Sequence, residues 1–271
     1  MKQKREREKS PDIKQLYVSV LLAAAAFVSL AAASVAWFTI ADFTKVHSMS
    51  MEITAGTNLR FDLDAHESFE EYVKTLSFAQ IAERISVQQG YDIRQSALKP
   101  VTTKDCRTFS FENGTEADKT SGDYLEFVLH FMATEDMLVH LSSDSSPGRQ
   151  DGTKVSSSNS KLPAAMRIGF SVEGVNYVYD PGLGDDRITQ NGLQIFGLAE
   201  ADEMTLSEKN QMFWLKKNVD QPVTVRIWLE GSDPDCTDAI RKADYSISLR
   251  FVGTDRDHRI LDGATHTQRE E

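Results

Sequence analysis

The chain has 271 residues and a formal net charge of −11, with 41 acidic against 30 basic residues. Phosphate binding requires clustered lysine and arginine, so this composition excludes a typical nucleic-acid-binding protein. The residues beyond the first ~40 are enough for one sizeable β-domain or two small ones.

An apolar segment near the N terminus predicts the compartment. Residues 15–41 carry no charge, and roughly 20 apolar helical residues span a bilayer core. Residues 1–14 hold six basic and three acidic side chains; this positive flank is expected to stay cytoplasmic, which places the rest outside. A small-x-small pattern makes Ala36 and Trp37 the candidate cleavage pair. The segment therefore either anchors the protein or releases it after cleavage.

The first stretch after this segment alternates between apolar and polar residues. Met49, Met51 and Ile53 are separated by polar residues, and a period of two predicts a β-strand. The same alternation or an extended pattern recurs at residues 59–63, 98–103, 124–131, 137–141, 166–172, 175–179, 223–229 and 245–251. These stretches predict a chain built mainly from short strands.

The remaining stretches have other patterns. Residues 67–89 have helical apolar spacing, which predicts one helix, broken near Ser77 and ending at Gly90. Polar residues dominate three further stretches, which we expect to be loops: 142–161, 181–192 and 231–242.

Short alternating strands between turn-rich loops predict an antiparallel β-sandwich with one or two peripheral helices. Clean alternation excludes a doubly wound parallel sheet, whose strands are apolar on both faces. The predicted organisation has a cytoplasmic basic segment, a transmembrane or signal helix, an extracellular β-sandwich domain and a polar tail, at residues 1–14, 15–41, 43–253 and 254–271.

The search for catalytic motifs finds none. The chain has no Gly-x-Ser-x-Gly, no His-Glu-x-x-His, and no Ser-x-x-Lys with its partner motifs. His130 and His140 lie on adjacent predicted strands, but two histidines fall short of the three or four ligands of a metal site. We therefore expect a non-enzymatic protein with no catalytic, cofactor or metal site.

Two acidic loops leave an alternative open. Their carboxylates are either solvated turn residues or weak calcium ligands, although neither loop has the twelve-residue spacing of a calcium hand. The residues are Asp180, Asp185 and Asp186 in one loop and Asp233, Asp235 and Asp238 in the other.

The two cysteines leave a second alternative open. Cys106 and Cys236 form an even pair, which in an exported chain permits one disulfide. The sequence alone does not decide whether they are bonded. Acidic neighbours raise a thiol pKa, so a nucleophilic role for Cys236 is not expected.

Several short stretches carry a resemblance to a known family. The sequence Ala36-Trp-Phe-Thr39, followed by the stretch from Met51 to Leu59, resembles the start of exported Gram-positive proteins processed by the SipW-type signal peptidase, the TasA- and camelysin-like family. Two further stretches resemble uncharacterised clostridial members of that family: Tyr124–Phe131, and Val225–Cys236 running on into Ile247–Phe251.

The resemblance implies a jelly-roll β-sandwich that is secreted or displayed on the cell surface. Fibre-forming members lend an N-terminal strand to the next subunit, and here residues 46–55, with Met49, Met51 and Ile53, would be that donor strand. This predicts a surface or biofilm-matrix structural protein that self-associates through edge-strand pairing. On this hypothesis, deletion of residues 43–55 abolishes polymers and leaves a folded monomer.

The alternative function is a membrane-tethered extracellular binding module for a glycan, a peptide or a partner protein. Trp214 and Trp228 would be its candidate contacts, provided that they are exposed. This alternative predicts a monomer with saturable ligand binding.

Overall fold

The computed structural model describes residues 20–22, 44–55, 58–145, 152–201, 204–240 and 243–261. The chain divides into two compact units, Met1–Asp42 and Phe43–Glu271. In the first unit, the three described residues are helical and have exposed side chains. Among the described residues, no helix is both long enough and apolar enough to cross a bilayer.

Two predictions therefore fall largely on undescribed residues. The transmembrane or signal helix at 15–41 overlaps the described residues only at 20–22, and the cleavage pair Ala36 and Trp37 lies outside them. Both stay predictions.

The second unit is mainly β. Its strands are β1 (Thr44–Ala55), β2 (Leu59–Asp62), β3 (Thr75–Ser77), β4 (Ala97–Leu98), β5 (Pro100–Thr103), β6 (Phe109–Ser110), β7 (Leu125–Ala133), β8 (Met137–Leu141), β9 (Asp144–Ser145), β10 (Lys154–Ser157), β11 (Met166–Val172), β12 (Val175–Tyr179), β13 (Arg187–Gln190), β14 (Leu193–Phe196), β15 (Glu200–Ala201), β16 (Gln211–Leu215), β17 (Gln221–Glu230) and β18 (Tyr245–Thr254). Its helices are α1 (Phe78–Gln89) and α2 (Lys161–Ala165), with 3₁₀ turns at Phe69–Glu71, Lys119–Ser121 and Asp238–Ile240.

The described strands form two large sheets. The seven-stranded β1 sheet has the order β16-β8-β18-β1-β3, with β4 beside β1 and β10 beside β18. The nine-stranded β17 sheet has the order β13-β14-β12-β11-β17-β5-β6, with β7 beside β17 and β2 beside β7. The short strands β9 and β15 pair separately.

Both large sheets are mixed, so the prediction of purely antiparallel pairing was wrong. β1 runs parallel to β18, β12 to β14, and β17 to β5. Alternation reports which face of a strand is buried. It does not report the direction of the neighbouring strand, which depends on the chain path between them.

One hydrophobic cluster joins the two sheets. Phe251 of β18 contacts three rings of the β17 sheet edge-on: Phe61, Phe131 and Phe170, with ring centroids 5.8, 5.2 and 6.0 Å away. All four side chains are buried. The inward residues of the alternating strands therefore form a shared core between two packed sheets.

A second cluster lies on the opposite face of the β17 sheet. Trp228 is buried there against Phe109, with ring centroids 5.2 Å apart, and Phe109 stacks on Tyr124 at 4.2 Å. Gly169 permits this packing, because a Cβ at that position would lie only 2.5 Å from the Sγ atom of Cys106. Both faces of β17 are therefore partly buried, although its sequence alternates.

The predicted helix at 67–89 is only partly correct. The α-helix begins after Ser77, whose backbone N–H donates to Oε1 of Gln80 at 2.9 Å, and it ends at Gly90 with a left-handed φ of 82°. The residues before it form a 3₁₀ turn and β3, because β3 pairs with β1. Tertiary strand pairing has overridden local helical spacing here.

Two predicted loops contain strands. β9 and β10 lie within residues 142–161, and β13 lies within residues 181–192. These strands are held by backbone pairing, β10 with β18, β13 with β14 and β9 with β15, and their own side chains are mostly polar or exposed. Apolar alternation cannot reveal strands of this kind.

Candidate functional site

The candidate donor strand, β1, lies in the interior of its own sheet. It runs parallel to β18 from Val46 to Ala55. On its other edge it pairs antiparallel with β3 and β4. The first and last long strands of the domain are therefore direct neighbours.

The predicted alternation of β1 is confirmed. Met49, Met51 and Ile53 are buried in the shared core, with 2%, 1% and 6% of their surfaces exposed. Ser50 points to the outer face, where its Oγ atom lies 3.3 Å from the Oγ atom of Ser248 on β18. The strand therefore occupies a slot between β18 on one side and β3 and β4 on the other, where only the face toward the core requires apolar side chains. Its role as a donor strand stays a prediction.

This placement revises the expected effect of deletion. Removing residues 43–55 would expose the core around Met49, Met51 and Ile53 and would leave one edge of β18 unpaired. Each buried side chain of this size contributes roughly 1.5–3 kcal/mol. We therefore expect the shortened chain to be unstable without a replacement strand, rather than to be a folded monomer.

The two cysteines do not form the disulfide that the sequence permits. Both are free: Cys106 lies in the second cluster, whereas Cys236 packs against the shared core. Burial raises the pKa of both thiols, that of Cys236 to about 11, with Asp233 and Glu230 adding to the shift. Neither cysteine has the low pKa of a catalytic nucleophile.

Trp214 and Trp228 are poor candidates for ligand contacts. Trp228 is 1% exposed in the second cluster. Trp214 is partly buried, and the guanidinium of Arg256 lies 5.5 Å from its ring centroid. The alternative function therefore gains no support from exposed aromatic side chains at these positions.

His130 and His140 belong to different sheets and have different partners. The Nδ1 atom of His130 lies 2.9 Å from Oδ2 of Asp220, and the hydroxyl of Tyr72 donates to Oδ1 of the same carboxylate at 2.8 Å. Burial raises the pKa of Tyr72, and Asp220 adds to the shift. The two histidines do not face each other, because β7 and β8 are consecutive along the chain but belong to separate sheets.

His140 instead lies in a buried polar cluster. Its Nδ1 atom is 3.0 Å from Oδ1 of Asn210, and its Nε2 atom is 3.1 Å from Oγ1 of Thr254. His258 approaches the same Nε2 atom. No sequence pattern predicts this cluster, because Asn210 and His258 lie in polar stretches far from His140 along the chain.

Arg167 joins the two acidic loops. Its Nη2 atom lies 3.0 Å from Oδ2 of Asp180 and 2.6 Å from Oδ2 of Asp233. In the same region, Lys209 pairs with Asp185 at 2.8 Å. These cationic side chains therefore contact three of the six loop carboxylates, and weak calcium binding by these loops stays an open alternative.

The described residues hold no group of three or more His, Cys, Asp or Glu side chains arranged to bind a metal ion. A shallow groove of about 480 Å³ lies beside α1, lined by both charged and apolar residues. Comparison with family models, with curated proteins and with solved structures gave no match to this chain. The resemblance to the SipW-type exported proteins therefore stays a prediction.

Proposed function

We propose that this chain is an exported, non-enzymatic structural protein of the cell surface or biofilm matrix, and that its subunits assemble by exchanging β1. Its fold would be a jelly-roll β-sandwich. It would be anchored by the helix at residues 15–41 or released by cleavage at Ala36 and Trp37. The proposal rests on the sequence pattern and on the position of β1.

The position of β1 in its sheet is the main support for the proposal. β1 is the first strand of the domain, yet it occupies an interior slot beside the last strand, β18. A terminal strand can leave such a slot without threading the chain through a loop. The identical strand of a second subunit can then make the same backbone hydrogen bonds and bury the same methionines, which is the physical basis of strand exchange.

Strand replacement tests the proposal directly. A chain lacking residues 1–55 should be unstable, and a synthetic peptide of residues 44–55 should bind to it and restore a cooperative unfolding transition. The matched control is the same peptide with Met51→Asp, which keeps the backbone donors but places a charge in the core. If neither peptide restores the cooperative transition, a separate β1 strand cannot fill the slot. If both peptides restore it equally, the slot does not recognise the apolar face of β1. Either result would contradict the proposal.

A further inference from the structure

The strand β13 forms an open edge of the β17 sheet. It pairs with β14 on one side, and the strands in the described part of the chain include no partner on its other side. Its residues Ile188, Thr189 and Gln190 are all exposed. An unpaired strand edge presents backbone N–H and C=O groups that can pair with another strand.

The register of the β13–β14 hairpin shows which backbone groups of β13 are free to pair. Just before β13, the N–H group of Gly197 donates to the carbonyl of Asp186 at 2.9 Å, so these two residues form a hydrogen-bonded pair. Because such pairs alternate along an antiparallel ladder, Ile188 and Gln190 also bond to β14. Thr189 lies between them and therefore directs its backbone N–H and C=O groups away from β14.

The turn after β13 holds this edge in a fixed shape. Asn191 and Gly192 form a two-residue turn with φ values of 53° and 82°. Two-residue turns with positive φ at both positions match the natural twist of paired strands. The edge is therefore already arranged for pairing, and a partner strand need not order it.

The strand β13 lacks the features that usually protect an edge. Natural edge strands are guarded by proline, a bulge or a free charge. β13 contains no proline, and its register with β14 is unbroken. Its charged residue, Arg187, uses Nη1 to donate to the backbone carbonyls of Gln211 and Lys209 at 2.7 and 3.2 Å. This charge is therefore engaged elsewhere and does not guard the edge.

An exposed apolar side chain lies at the same edge. Ile188 is 40% exposed. It stands opposite Ile195 of β14, which packs against the second cluster. The apolar surface of that cluster therefore continues to the open edge of the sheet, where a second strand would cover it.

We propose that the β13 edges of two copies of this chain pair antiparallel across a two-fold axis at Thr189. The N–H group of each Thr189 donates to the Thr189 carbonyl of the other copy, and the two Ile188 side chains approach each other diagonally across the axis. A second copy is the partner because a two-fold contact requires a surface that complements itself, and β13 offers one free donor, one free acceptor and one apolar side chain. This interface is separate from the exchange of β1.

Sedimentation of the full-length chain over a range of concentrations tests the proposal. A four-residue contact is small beside the roughly 1,200–2,000 Å² of stable interfaces, so we expect a weak, reversible monomer–dimer equilibrium. Thr189→Pro removes the outward N–H group and no hydrogen bond to β14, and it should raise the Kd of the dimer at least about tenfold. The matched control is Thr189→Val, which keeps the shape and the N–H group and should dimerise with a Kd within about twofold of the unaltered chain.

A cysteine variant checks the register of the pair. In Thr189→Cys the two thiols lie on directly opposite residues, close enough to form a covalent dimer on mild oxidation. Ser156→Cys, at an exposed position on β10, is the control and should stay monomeric.

A chain that is monomeric at all concentrations would overturn the proposal, as would a dimer that Thr189→Pro leaves within about twofold of its original Kd. Equal covalent dimerisation of Thr189→Cys and Ser156→Cys would also overturn it. Assemblies formed through β1 do not depend on Thr189 and persist in Thr189→Pro, so the two interfaces can fail separately.

Discussion

Arg167 shows how one side chain ties distant parts of the chain together. It lies between Asp180 and Asp233, and all three side chains are only 12–13% exposed. Burial raises the pKa of Asp180, although Arg167 opposes that shift. The arginine therefore balances two carboxylates that would otherwise repel each other in a partly desolvated site.

Arg167→Met should lower the free energy of unfolding by about 3 kcal/mol, because it keeps the aliphatic stem but leaves two buried carboxylates without a counter-charge. The matched control is Lys161→Met, which breaks the more exposed pair with Asp235 at 3.6 Å. Exposed pairs are worth roughly 0–1 kcal/mol. Urea unfolding of the three proteins provides the comparison, and equal losses in both variants would contradict a special role for Arg167.

The buried His140 should make stability depend on pH. Its pKa is about 4 in the folded protein against an ordinary value of 6.5. The unfolded chain therefore takes up the proton first as the pH falls. The part of the free energy of unfolding that depends on neutral His140 should be fully present above about pH 6.5. It should be lost as the pH falls towards 4, by roughly 3 kcal/mol in total.

His140→Gln removes this titration and should flatten that part of the pH profile. Urea unfolding at pH 7 and pH 4.5 gives the loss of stability for each protein. A wild-type loss no larger than that of the variant would show that His140 does not govern the acid response.

At the scale of elements, β1 offers a comparison of its two faces. Met51 is 1% exposed and faces the shared core, whereas its neighbour Ser50 faces outward. Met51→Ala should cost about 2–5 kcal/mol through lost burial and a cavity. Ser50→Ala should change stability by less than about 0.5 kcal/mol. Chemical denaturation distinguishes them, and a similar effect of both changes would contradict the assignment of faces.

The sequence predicted the elements that bury an apolar face. β1, β7, β17 and β18 show the period of two, and Gly90 marks the end of α1 as expected. Apolar alternation did not predict β10 and β13, whose residues are held by hydrogen bonds to neighbouring strands. Backbone pairing leaves little trace in composition, so short polar strands look like loops.

At the scale of the whole molecule, sequence patterns could not determine how distant segments meet. They gave no sign that β1 would lie parallel to β18, that Arg167 would join two loops, or that His258 would reach His140. Each of these contacts depends on chain direction and on turns formed by polar residues. The strand β1 and its buried face were nevertheless predictable, because its alternation is local.

Strand exchange between subunits can be detected with an engineered disulfide across the β1–β18 pair. Ser50→Cys with Ser248→Cys places thiols where two hydroxyl oxygens lie 3.3 Å apart on neighbouring strands, close enough for a disulfide with little movement. With exchanged β1 strands, the bond joins different subunits, and assembled protein should run as a covalent ladder on a non-reducing denaturing gel. Each single variant is the control and should run without the ladder. A double variant that runs only as an internally bonded monomer would show that β1 stays in its own subunit.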